Sequence, residues 1–186
     1  MKKLLFLAVC ALATATALAQ GTVNFNNRVT SASIDAPVTD VGGATKLGPT
    51  FDAQLYAGTT DTSLAAVGSV TAFKSGVLAG YFAGGTVTIS TVAPGATASI
   101  QVRAWDASGG ATSYEAALAA GVHTGESAII HVATGGVPDP TTGIPGFPAN
   151  LTGLQSFSLV ATVVPEPSTI ALGLLGAGAL LLRRRK

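Results

Sequence analysis

From Gly21 to Val163, apolar side chains recur at every second position in short runs cut by glycine and proline. Successive side chains of an extended strand point to opposite faces, so this period suits half-buried strands and defeats a helix. Val23 and Phe25 alternate with Thr22, Asn24 and Asn26; Phe51, Ala53, Leu55 and Ala57 alternate with Asp52, Gln54 and Tyr56. Val87 and Ile89, then Ile100, Val102 and Ala104, repeat the pattern, as do Ala128, Ile130 and Val132, and Phe157, Leu159, Ala161 and Val163. Gly42-Gly43, Gly84-Gly85, Pro94-Gly95, Gly109-Gly110 and Gly135-Gly136 supply the turns between runs. About six to eight short strands without long helical periods predict an all-β fold, an antiparallel β-sandwich of Ig-like or jelly-roll-like kind.

Two segments break the pattern. Ser113 to Gly121 offers a serine N-cap, an early Glu115, an alanine-rich middle and a closing glycine, which predicts one short helix. Residues 137–153 hold Pro138, Pro140, Pro145 and Pro148 with three glycines and read as a loop.

The two ends are built differently. Met1-Lys2-Lys3 precedes the apolar run Leu4 to Leu12, and Ala17-Leu18-Ala19 supplies small residues where signal peptidase cuts. Residues 1–19 therefore read as a signal helix, with cleavage between Ala19 and Gln20. Cys10 is the one cysteine. The bulky Val9 before it argues against a lipidation site, and it leaves with the signal, so no disulfide or thiol nucleophile is expected in the mature chain. At the other end, Ile170 to Leu182 is uncharged and stops at Arg183, Arg184, Arg185 and Lys186. As a helix this run is ~20 Å long, short against a ~30 Å bilayer core. A transmembrane helix over about 169–182 would leave residues 183–186 cytoplasmic and the body outside.

Val164-Pro165-Glu166-Pro167-Ser168-Thr169, the short Gly/Leu/Ala span and the terminal arginines resemble the PEP-CTERM sorting signal of exported bacterial proteins. The same tail is also catalogued as an ice-binding-protein C-terminal motif. The resemblance implies processing near Pro165-Glu166-Pro167 by an exosortase-type membrane protease, after transient membrane insertion, with delivery to the cell surface or the extracellular space. It also implies an association with exopolysaccharide. Pro165 and Pro167 keep that backbone extended, as a protease cleft requires. The body resembles PEP-CTERM proteins whose mature chain opens like Gly21-Thr22-Val23-Asn24-Phe25-Asn26-Asn27, a likeness that implies a fold and no activity.

Between these ends, residues 20–163 form one domain. It keeps Arg28, Lys46, Lys74 and Arg103 against eight carboxylates, a net charge of about −4. That leaves no basic patch for nucleic acid. Its chemistry is sparse. His123 and His131 are the two histidines; His123 and Glu126 lie three apart, but no third ligand stands at zinc spacing. No Gly-x-Ser-x-Gly elbow is present. The sequence therefore predicts no catalytic residue, no metal and no cofactor. Two function classes remain: a structural or interaction protein of the envelope or extracellular matrix, and a carbohydrate-binding module. For the second, Tyr56 and Trp105 would stack on sugar rings while Gln101 and Arg103 bond hydroxyls. The competing reading of the same aromatics places them beneath the short helix or the proline-rich loop, capping the core.

Overall fold

The computed structural model describes residues 20–161. The expected signal peptide (residues 1–19), the PEP segment, the expected membrane helix and the basic tail lie outside the described residues. Among the described residues no helix is long and apolar enough to cross a membrane.

The fold is all-β with one short helix. Strand β1 (Gly21–Asn26) buries every second residue, as its alternation predicts. It lies between two partners. One is β6 (Ala83–Ile89), antiparallel, with Val23 opposite Val87 and Thr22 opposite Thr88. The other is β10 (Ala149–Asn150), which runs parallel, with Asn24 opposite Asn150. That parallel pairing corrects the expectation of a purely antiparallel sandwich: the loop after residue 136 crosses over and returns in the direction of β1. Short strands β2 (Arg28–Val29) and β3 (Ile34–Asp35) pair with each other.

The second sheet is built on β4 (Phe51–Gly58) and β7 (Thr97–Asp106), paired without interruption from Phe51–Asp106 to Gly58–Ser99. Strand β5 (Ala65–Ala72) covers the free edge of β4. The far edge of β7 takes two strands in succession: β9 (Ile130–Ala133) opposite residues 97–100, and β8 (Thr124–Glu126) opposite residues 103–105. Between them Ser127 takes over the ladder, its N–H donating to Val102 O and its Oγ accepting from Val102 N. This bulge corrects the expected Ala128–Val132 face: Ala128 is exposed and outside the strand.

Inner faces of both sheets share one core. Val23, Phe25, Val87 and Ile89 meet Ala53, Leu55, Ile100, Val102 and Ala104. Each fully buried Val, Leu, Ile or Phe contributes ~1.5–3 kcal/mol relative to exposure. Beyond β1, Asn27 is 1% exposed, and its amide ties three segments together. Its Nδ2 donates to Ala36 O (2.8 Å) and Gly80 O (2.9 Å), and its Oδ1 accepts from Phe82 N (2.8 Å).

The expected last strand is also corrected. Residues 157–160 form isolated bridges rather than a regular strand, and Ala161 is exposed. The segment is nevertheless fixed on both sides. Thr39 N donates to Phe157 O and Leu159 N to Thr39 O, while Val160 and Thr124 exchange both backbone bonds. Leu159 is buried beneath them.

Candidate functional site

Alternation in the sequence puts Tyr56 on one polar strand face and Gln101, Arg103 and Trp105 on another. Register makes these one face, since Tyr56 stands opposite Gln101, Gln54 opposite Arg103 and Asp52 opposite Trp105. The face points away from the main core and is covered by helix α1 (Tyr114–Ala120). The helix begins and ends as its sequence predicts. Ser113 Oγ accepts from Ala116 N at the N-terminus, and Gly121 adopts φ 70° at the C-terminus, a left-handed geometry suited to glycine.

Beneath the helix Trp105 is 0% exposed and Tyr56 3% exposed, packed with Tyr114 and Ala117. The Trp105 Nε1–H donates to Ala111 O at 3.0 Å. Gln101 is buried too, with Nε2 donating to Ser127 O. An open stacking platform at Tyr56 and Trp105 is therefore corrected: rings covered by α1 cannot lie against a sugar.

Arg103 is the electrostatic centre of the cluster. Its guanidinium sits 4.1 Å from the Tyr56 ring centroid and 5.1 Å from that of Tyr114. Its Nε donates to Gln101 Oε1 at 2.9 Å, and its head groups lie 3.6 Å from Glu115 and 3.5 Å from Glu126. Both carboxylates are largely exposed, so each ion pair contributes only ~0–1 kcal/mol. Packing and desolvated cation–π contact hold the arginine more firmly.

The phenol of Tyr56 donates to Glu115 Oε1 at 2.7 Å. Burial, and then that bond to a carboxylate, push the Tyr56 phenol well above its usual range. The same bond is the main cause holding Glu115 below the ordinary carboxylate value. Burial also raises Tyr114, and the hydrogen bond to Asp35 (2.6 Å) raises Tyr81. All three tyrosines of the chain are thus shifted upward. A phenol raised in the folded state gives stability that is complete below its unfolded pKa near 10 and is lost as pH rises through the folded value. Tyrosinate absorbance in an alkaline titration is therefore expected to stay low through that range and then rise together with loss of the fold. An early rise of one tyrosine would contradict the cluster.

Both histidines face a carboxylate. His123 Nδ1 lies 2.9 Å from Asp40 Oδ1, and His131 Nε2 lies 2.9 Å from Asp61 Oδ1. Ser99 Oγ donates to the same Asp61 oxygen at 2.6 Å. That bond is the main cause lowering the Asp61 pKa. Here the carboxylate stands between hydroxyl and imidazole, whereas a hydrolytic triad places the imidazole between the other two. His123 bonds Asp40 rather than sharing a ligand set with Glu126, and among the described residues no group of three His, Cys, Asp or Glu side chains is arranged to hold a metal.

Of the processing residues, Gln20 is described and exposed. Ala17, Ala19, Val164, Pro165, Glu166, Pro167 and Arg183, Arg184, Arg185 and Lys186 lie outside the described residues. Sequence reasoning missed the Asn27 knot, whose only signal was an asparagine directly after an apolar strand. Comparison with protein families matches residues 163–186 to the PEP-CTERM protein-sorting motif. No curated protein and no solved structure matches the chain.

Proposed function

We propose that this exported protein, bearing a PEP-CTERM sorting tail for processing by an exosortase, serves as a non-catalytic structural or interaction protein of the cell surface or extracellular matrix. Its body is read as a β-sandwich, with two sheets on one shared core. Signal peptidase removes residues 1–19, the tail holds the chain at the membrane, and cleavage near Pro165-Glu166-Pro167 delivers the body outward. Association with exopolysaccharide belongs to this reading.

The observation that carries the non-catalytic part is where the reactive side chains go. His123, His131, Glu115 and Glu126 each face a side-chain partner that organises the fold, and Tyr56 and Arg103 are locked under α1. Groups held this way brace loops and a helix.

Intact-mass spectrometry of the protein from its native cell tests the processing. The expected species begins at Gln20 and lacks residues 183–186. A sole mature species that retains Arg183 to Lys186 would overturn processing while leaving export intact.

A further inference from the structure

On the outer face of the three-stranded sheet, Thr22 of β1 stands opposite Thr88 of β6, and Asn24 opposite Thr86. An amide chain runs across it, Asn26 Nδ2 donating to Asn24 Oδ1 (2.6 Å) and Asn24 Nδ2 to Asn150 Oδ1 (3.0 Å). The proline-rich segment folds over one end of this face as a flap. Thr22 and Gly135 exchange backbone bonds, Gly146 N donates to Val137 O, and Pro138 bridges Pro145. The tip is fastened by Asp139, whose Oδ1 accepts from Thr141 N and Thr142 N. Between flap and sheet lies a pocket of about 380 Å³, within the size range of small-molecule sites.

The walls of this pocket have two characters and no charged side chain. Thr22, Thr86, Thr88 and Gln20 line it together with Pro138, Pro145 and Pro148, and most of the accessible lining is apolar. Phe147, between the lining residues Gly146 and Pro148, is 95% exposed. Thr22 Oγ1 is shielded from solvent with no hydrogen-bond partner. It lies close beneath Gly136, where an added Cβ would come to 3.0 Å from it. A shielded, unpaired hydroxyl destabilises the closed flap, and a ligand that lifts the flap and bonds this oxygen removes that penalty.

We propose that this pocket binds a neutral saccharide segment, with C–H faces against the prolines and Phe147 and hydroxyls on Thr22, Thr88 and Gln20. An anionic or cationic ligand finds no side-chain counter-ion among the lining residues. A purely apolar ligand leaves Thr22 Oγ1 without a partner. The site is separate from the face under α1, and its standing does not depend on how the tail is processed.

Saturation-transfer NMR and titration calorimetry on the processed protein, with cello-, malto- and laminarihexaose, test it. Saturable binding of at least one neutral hexamer is expected. Thr88→Val, Thr22→Val and Phe147→Ala are each expected to weaken binding about tenfold, the usual effect of losing one hydrogen bond or stacking contact. Thr22→Val is also expected to leave thermal stability unchanged or raised, because its hydroxyl has no partner to lose. Binding untouched by these variants would overturn the assignment, as would no binding of any hexamer at millimolar concentration. Leader removal puts the Gln20 α-amine at the rim, so tighter binding of oligogalacturonate than of every neutral hexamer would overturn neutrality. Preference for a proline-rich peptide over the sugars would make the face a protein-docking surface and also overturn it.

Discussion

Trp105→Ala is expected to destabilise the body by ~3–5 kcal/mol, the range for removing a buried large aromatic, and to lower Tm by on the order of 10 °C. The indole is fully enclosed between β7 and α1, so its loss opens a cavity that only the helix can collapse into. A seven-residue helix has little stability of its own. Tyr114 and Ala117 hold it down by packing on the same cluster. Losing Trp105 is therefore expected to free α1 as well, exposing Tyr56 and Arg103. Trp105→Phe keeps much of the volume but leaves Ala111 O without its donor, at ~1–3 kcal/mol. Urea denaturation followed by circular dichroism measures both. Equal losses for the two variants would show that the hydrogen bond, rather than the packing, seats the helix. Emission from this sole tryptophan is expected to be blue-shifted in the wild type and red-shifted in urea.

Asn27→Ala is the second large effect, at ~3–5 kcal/mol, from three buried backbone groups losing a partner at ~1–3 kcal/mol each with partial relaxation. Ala36 O and Gly80 O lose their donor, and Phe82 N loses its acceptor. Phe82 packs on Phe25 at 4.6 Å between ring centroids and edge-on to Phe73 at 5.5 Å, so slack at residue 82 spreads into the main core. Asn27→Asp is sharper still, because Oδ1 survives while both donors are replaced by a buried charge. Burial raises the folded pKa of such an aspartate above its unfolded value of ~3.9, so the deficit grows as pH rises through that window and narrows in acid. Thermal melts of wild type and Asn27→Asp at acidic and neutral pH check this. Matching deficits at both would rule out the buried carboxylate.

Period-two alternation of apolar and polar residues made β1, β4, β6 and β7 legible, although only β1 and β6 leave the second face exposed or half-exposed, while that of β4 and β7 is largely buried. β5 was illegible for the opposite reason. Nearly every residue of Ala-Ala-Val-Gly-Ser-Val-Thr-Ala is exposed or half-exposed, so its backbone pairs with β4 while its side chains carry no pattern. The helix was legible from Ser113 and Gly121, whose caps are local chemistry. That Tyr56 and Trp105 share one covered face was not, since it depends on which strands pair and where a helix from later in the chain settles. Asn27 was hidden likewise: its three partners come from residues 36, 80 and 82. The flap pocket needed the parallel crossover to β10, which nothing between residues 137 and 150 announces.

The segment Phe157–Val160, bonded to Thr39 on one side and Thr124 on the other, fixes how the body carries a mechanical load. From Val160 to Pro165 the chain can span at most about 18 Å, so cleavage near Pro165, as proposed above, would put the new end within that reach of this double seam. A pull directed along the segment would strain its rungs to Thr39 and Thr124 together, in shear, with Leu159 drawn against its socket. Peeling one rung at a time requires a pull across the strand. Were the body attached by this end, it would resist traction along Phe157–Val160 best, and its weak direction would be sideways.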